Sequence, residues 1–188
     1  VDNGNSVYSS SNGALYGPYS SSSTDKTLIQ YPAGKADTSY TVQADTLVLG
    51  DSSFGSSKNL VSVVLPEGLT KIDSYAFNEC KALTTVNIPS TVTKIGSLAF
   101  GKCGALESVE IPASVTDFGS AFYMSGLKNV TIADGVKTIS AKAFEGCTAL
   151  ENVSIPGSVT KIDFGAFYGC TSLKEVQGIE NVKFINRS

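Results

Sequence analysis

Four cysteines, Cys80, Cys103, Cys147 and Cys170, are the residues of this 188-residue chain best suited to chemistry, and each closes the same phrase, Ala-Phe-x-x-Cys. Thiols can pair as disulfides, here with three possible connectivities, hold zinc, or act as nucleophiles. Their spacing argues against disulfides and zinc. Cysteines at one position of a repeat stack pointing the same way, roughly 5 Å apart at strand spacing, whereas a disulfide brings two facing Cβ atoms to about 3.8 Å. No two cysteines share a loop, so convergent zinc ligands are missing. The expectation is free thiols lining a core.

The chain contains no histidine, which removes Ser-His-Asp and Cys-His catalysis and the commonest metal ligand together. Among carboxylates, Asp73 and Asp163 occupy matching repeat positions but lie four repeats apart, roughly 19 Å at strand spacing. Glycosidase pairs sit about 5 to 9.5 Å apart. Glu107 and Glu110 are three residues apart on one candidate strand and so face different ways. No catalytic, cofactor-binding or metal-ligating residue is expected, and an enzyme acting on glycans has these absences against it.

What positions the cysteines is a repeat of 23 residues. Leu60, Leu83, Leu106, Leu127, Leu150 and Leu173 open successive copies, one of them shortened to 21. Each Leu is followed by Val63, Val86, Val109, Val130, Val153 or Val176. Next come Leu65, Ile88, Ile111, Ile132 or Ile155, then Pro in four of five copies. A second apolar pair, such as Val92 and Ile95, leads into Ala-Phe. A copy this small cannot bury its own apolar side, so copies must stack into one continuous core. The β-branched Val-x-Ile-Pro segment predicts a short strand ended by Pro, and Val-Thr-x-Ile predicts another. The Ala-Phe segment predicts a brief helical or 3₁₀ turn.

The fold expected is thus an α/β, β-rich solenoid of about six right-handed coils carrying two short parallel strand ladders. Residues 37–180 would hold the repeats, since Val42, Thr46, Leu49, Phe54 and Ser57 continue the pattern upstream in degenerate form. Residues 1–36 would form an N-terminal cap, with a β-hairpin from Gly13–Tyr16 and Thr27–Tyr31. Residues 181–188 would be a tail or a truncated repeat. In the third full repeat one residue is missing before Ala121 and another after Phe122, and Met124-Ser125 stands around the Cys position, so a local kink is expected there.

The pattern LxxVxIPxxVTxIGxxAFxxC, reproduced in order by Ile88-Pro89, Val92-Thr93-Lys94-Ile95-Gly96, Ala99-Phe100 and Cys103, resembles the BspA-like leucine-rich repeat proteins of cell surfaces. The resemblance covers about residues 37–180. It implies a leucine-rich repeat solenoid, secretion or surface display, and adhesion to a host or matrix protein or to glycans. It implies no catalytic residues and no cofactor.

The formal charge of −3 argues against a nucleic-acid partner, because phosphate binding draws on clustered Lys and Arg. No run reaches the roughly 18 to 20 apolar residues that span a bilayer, so no membrane insertion by this segment is expected. The chain starts at Val1 with no charged-then-apolar leader, as a processed or excised chain would. Ligand identity and oligomeric state are left open.

Binding would then fall to outward positions. On the first ladder these are Asn87, Glu110, Thr131 and Ser154, flanked by Thr85, Asn129 and Asn152, with Val64 and Ser108 in the same columns. This small, hydrogen-bonding face could receive a protein loop or a sugar, although it lacks aromatic platforms, and a plain solvated strand face would look the same. Lys71, Lys94, Asp117, Thr138 and Lys161 on the second ladder read as a solubilising stripe. Tyr8, Tyr16, Tyr19, Tyr31 and Tyr40 could form a contact patch or pack the cap. The functional expectation is a non-catalytic, secreted or surface-displayed binding module using the strand face or the Tyr-rich cap. A passive stalk within a larger surface protein is the alternative.

Overall fold

The structure, a computed structural model, describes residue 5 and residues 7–186. Residues 1–4, 6, 187 and 188 of the expected cap and tail lie outside the described residues.

The chain opens with a three-stranded antiparallel meander, β1 (Ser9–Ser11), β2 (Ala14–Pro18) and β3 (Lys26–Gln30). The β2–β3 hairpin matches expectation, and β1 adds a strand. Its turn is made by Asn12 (φ 47°) and Gly13 (φ 82°), the left-handed pair that a two-residue hairpin requires. From there the chain alternates between two sides of a coil: β4 (Ser39–Thr41) and β5 (Val48–Leu49), β6 (Ser62–Val64) and β7 (Lys71–Ile72), β8 (Thr85–Val86) and β9 (Lys94–Ile95). The coil of β10 (Ser108–Ile111) has no second strand. It is followed by β11 (Asn129–Ile132), β12 (Thr138–Ile139), β13 (Asn152–Ser154), β14 (Lys161–Ile162), β15 (Glu175–Gln177) and β16 (Phe184–Ile185).

All coil-to-coil strand pairings are parallel and keep repeat register, as in Ser62↔Thr85, Lys71↔Lys94 and Asn129↔Asn152. The first ladder holds the seven strands β4, β6, β8, β10, β11, β13 and β15, one coil more than the six expected. Each ladder is divided in two: β4-β6-β8 and β10-β11-β13-β15, and β3-β5-β7-β9 and β12-β14-β16. The expected irregularity in the shortened repeat is therefore a break in the second ladder. Only a single bridge, Lys94↔Asp117, carries that ladder into it. Side chains take over the lost backbone pairing. The Ser140 hydroxyl donates to Asp117 Oδ1 at 3.0 Å and accepts the Phe118 N–H at 3.3 Å, while the Gly119 N–H donates to the same Asp117 oxygen at 3.0 Å.

The Ala-Phe corners are not helical, and here the expectation of a helical or 3₁₀ turn is corrected. Ala76, Asn78 and Cys80 donate back within the corner, to Asp73, Tyr75 and Phe77 carbonyls. The alternate residues Tyr75, Phe77 and Glu79 donate onward to Ser97, Ala99 and Gly101 of the next coil, Phe77 at 2.7 Å. A 3₁₀ run would need consecutive internal bonds. It cannot propagate because Tyr75 (φ 59°) and Glu79 (φ 61°) are left-handed, which turns every second N–H out along the solenoid axis. One short 3₁₀ helix does form, at Ile179–Asn181, outside these corners.

Inside the stack, Leu60, Leu83, Leu106, Leu127 and Leu150 are buried with the Val, Ile, Ala and Phe of each copy. The phenylalanines form a column of near-parallel rings: Phe54–Phe77 at 4.8 Å, Phe77–Phe100 at 5.2 Å, Phe100–Phe122 at 5.3 Å, Phe122–Phe144 at 5.7 Å and Phe144–Phe167 at 5.6 Å. Burying one such ring contributes roughly 1.5–3 kcal/mol. The cap continues the column, because the Tyr31 ring lies 5.3 Å from Phe54 and the Tyr31 N–H donates to the Ser53 carbonyl, as the N–H groups of Phe54, Phe77, Phe100, Phe122 and Phe144 donate to the coils that follow them.

Candidate binding face

The four strands β10, β11, β13 and β15 bring most of the expected ligand-binding residues together. Glu110 faces Thr131 and Thr131 faces Ser154. One step earlier, Ser108 faces Asn129 and Asn129 faces Asn152. All are exposed, while Val109, Val130 and Val153 between them are buried. Glu175 and Gln177 extend the two columns by one coil. Thr85 and Asn87 are exposed too, but they stand beyond the division of the ladder: Thr85 belongs to β8, and Asn87 lies just past its end. The face is a four-strand surface with two residues beside it rather than one uninterrupted ladder.

A third column borders these two. The residue after each repeat Leu reads Glu107, Lys128, Glu151 and Lys174 over the last four coils, so charge alternates at every coil. Lys128 Nζ lies 2.7 Å from Glu107 Oε1, and that hydrogen bond raises the Lys128 pKa above the ordinary lysine value. Backbone N–H groups of Lys128, Glu151 and Lys174 donate to the carbonyls of Glu107, Lys128 and Glu151, which holds the column in register. The signal was present at one fixed repeat position but lay outside the columns considered from sequence.

The cysteines occupy the interior. Their thiols are free, those of Cys80, Cys103 and Cys147 are buried, and that of Cys170 is half-buried. Each thiol donates to the carbonyl of the Phe one coil earlier: Cys80 to Phe54, Cys103 to Phe77, Cys147 to Phe122 and Cys170 to Phe144, each at 3.1 Å. Burial pushes the Cys80 and Cys170 thiols up to about 12 and raises Cys103 and Cys147 as well. A thiol held neutral is a poor nucleophile and metal ligand. Among the described residues no cluster of three His, Cys, Asp or Glu could hold a metal ion.

The tyrosines divide. Tyr16, Tyr31 and Tyr40 are buried. The Gln43 N–H donates to Tyr16 Oη, and the Tyr16 and Tyr40 hydroxyls meet at 2.7 Å with Tyr40 also donating to the Ser11 carbonyl. These three pack the cap and are withdrawn from the expected contact patch, leaving Tyr8 and Tyr19 exposed. Tyr19 has a structural partner. Lys71 Nζ sits 4.2 Å from its ring centroid and 3.0 Å from Asp73 Oδ1. The first lysine of the expected solubilising stripe therefore clamps the hairpin onto the coils.

Among the described residues no helix is long and apolar enough to cross a membrane. A family model described as the BspA type leucine-rich repeat region matches residues 48–174 in six copies. No curated protein matches the chain. Among solved structures, a leucine-rich cell surface protein from Faecalibacterium prausnitzii is 26% identical over 97% of this chain and 40% of its own, with a TM-score of 0.62. A leucine-rich repeat protein from Eubacterium ventriosum is 24% identical over 100% of this chain and 50% of its own, at a TM-score of 0.80. The pneumococcal vaccine antigen PcpA is 23% identical over 100% and 49%, at 0.73. The chain spans half or less of the length of these three relatives.

Proposed function

The chain belongs to the BspA-type leucine-rich repeat family, and on that premise we propose that it is a non-catalytic adhesion module, secreted or displayed at a cell surface, that binds a protein or glycan partner. The observation that carries this reading is the β10-β11-β13-β15 face. Four strands in unbroken register expose two columns of side chains over a valine row that is buried at Val109, Val130 and Val153 and half-buried at Val176. Folding constrains the inward residues and leaves the outward ones free to be chosen for recognition.

Glu110, Asn129, Thr131 and Asn152 supply hydrogen-bond donors and acceptors at strand spacing, and the Glu107-Lys128-Glu151-Lys174 column adds alternating charge beside them. That pattern favours a protein surface as partner, because mixed charge fixes register and excludes mismatched surfaces. Surface location is supported by the likeness to the Faecalibacterium cell surface protein. The chemistry of the chain supports a non-catalytic role, since it has no histidine and its thiols are held neutral in the core.

The test is retention of the chain on immobilised matrix proteins, mucins and a glycan array. Replacing Glu110, Asn129, Thr131 and Asn152 together by Ala should cut retention at least tenfold and move Tm by only a few degrees, as exposed strand residues do. Full retention by this variant sinks the strand face as the site. No retention of the unaltered chain on any surface sinks the binding module and favours the passive stalk.

A further inference from the structure

On the corners of the solenoid, the residue just before the Ala-Phe pair is Tyr75 in the first of five corners and then reads Leu98, Ser120, Lys142, Gly165 over the last four. Large and small alternate. Each small residue leaves a bay between its neighbours. One, of about 290 Å³, is lined by Leu98, Ser120, Tyr123, Lys142 and Glu145. The other, of about 140 Å³, is lined by Lys142, Glu145, Phe164, Gly165 and Tyr168. The Lys142–Glu145 ion pair, 3.2 Å between Nζ and Oε2, is the shared wall. Gly165 keeps the second bay open, because a Cβ there would lie 3.6 Å from Lys142 Cγ and 3.8 Å from Tyr168 Cβ, in ordinary contact with both. At the equivalent position, with the same left-handed backbone, Tyr75, Leu98 and Lys142 carry full side chains.

The aromatic residues of this groove are spent on nothing else. Tyr168 is 65% exposed and Phe164 46%, and neither ring is in an aromatic stack. Exposed aromatic faces beside a few convergent polar groups are the makings of a small-molecule subsite. The polar groups fix its class. Lys142 offers donors, Glu145 an acceptor, and together they are neutral. Because the two charges cancel, the pair gives little net attraction to a cation, a carboxylate or a sulfate. What remains is a neutral, amphipathic ring with an apolar C–H face and hydroxyls at its rim.

We propose that the Leu98–Tyr168 corner groove is a carbohydrate-binding site that takes neutral hexopyranosyl residues, stacking them on Tyr168, Phe164 and Tyr123 with hydroxyls bonded to Lys142 and Glu145. The two bays lie two coils apart along one line, so an oligosaccharide running parallel to the solenoid axis can fill both. This site lies at the corners, apart from the strand face, and stands or falls separately from it.

The experiment is a titration of the ¹⁵N-labelled chain with methyl-β-galactoside, lactose and cellobiose, followed by amide NMR. At least one sugar should shift amides of residues 142–146 and 164–169, saturating in the millimolar range expected of a shallow single-ring site. Gly165→Lys, which copies the residue of the preceding corner, should weaken binding at least tenfold. Tyr168→Ala should do the same without touching the backbone, and keeps the test valid if Gly165→Lys fails to fold. Glu110→Ala with Thr131→Ala should leave the sugar shifts unchanged. Absence of shifts with all three sugars, shifts confined to other residues, undiminished binding by Tyr168→Ala, or a response to a proline-rich peptide in place of the sugars overturns the proposal.

Discussion

The Cys103 thiol donates to the carbonyl oxygen of Phe77 in the preceding coil at 3.1 Å, and the same carbonyl accepts the Cys80 N–H. One acceptor therefore ties together the corner's own turn and the coil stacked on it. The thiol serves this bond only as long as it keeps its proton, and that has a consequence for pH. An unfolded cysteine ionises near its ordinary 9.0, whereas burial pushes Cys80 and Cys170 up to about 12. The stabilisation is complete below pH 9 and is lost as pH rises towards 12, because above 9 the unfolded state binds fewer protons. Each such thiol should steepen the alkaline fall by up to ~1.4 kcal/mol per pH unit. Denaturant melts from pH 7 to 11 should show this slope, and replacing all four cysteines by Ser should flatten it.

Phe100 is clamped between Phe77 and Phe122 with interplanar angles of 8° and 6° and is completely buried. Phe100→Ala should cost ~3–5 kcal/mol. The loss spreads along the axis, since both neighbours lose a stacked partner. Equilibrium unfolding in urea gives the number. A cost under 1 kcal/mol would mean the column is a by-product of register rather than a source of stability.

Met124 sits at φ 53° and is 50% exposed. A left-handed non-glycine residue costs roughly 1–2 kcal/mol, and little packing holds this one. Met124→Gly should raise Tm by several degrees. The same change at Gly146 and Gly169, the corresponding corner positions of the next two coils (both φ 75°), is already present in the chain. A lowered Tm would show that Met124 is held by contacts that outweigh its backbone strain.

Ser140 bridges the break in the second ladder. Removing its hydroxyl leaves the Phe118 N–H unpaired and Asp117 short of a donor. Ser140→Ala should cost ~1–3 kcal/mol, more than Ser158→Ala, whose hydroxyl also accepts one N–H and donates to one carbonyl but serves the exposed Gly135 N–H rather than a buried one, and thermal denaturation of the two variants compares them directly.

Much of this fold could be read from periodicity. The Leu, Val, Ile, Ala, Phe and Cys positions were legible as inward because most copies put an apolar residue there, and the degenerate copy at Val42–Ser57 packs like the rest. The Asn12-Gly13 turn that adds β1 was passed over, although that dipeptide is a strong hairpin signal. The corner conformation was not. Ala-Phe in a short loop looks helical by propensity, and only the demand that each coil donate to the next makes residues such as Tyr75 and Leu98 left-handed. The polar columns of the strand face were legible as a pattern, but the division of the ladder between β8 and β10 was not. The corner groove was hidden for a different reason. It is made by the absence of side chains at Ser120 and Gly165, and a search for functional groups passes over the residues that leave room.

The alternating donors of the corner reach beyond stability. Because every corner N–H that leaves a coil meets a carbonyl at the same place in the following coil, excising residues 83–105 would join Leu106 to the coil of Leu60 with most donors and acceptors still matched. Gene duplication or unequal recombination in steps of one repeat is therefore structurally almost silent. Selection can lengthen or shorten such an array, and so reset its reach, without redesigning any coil.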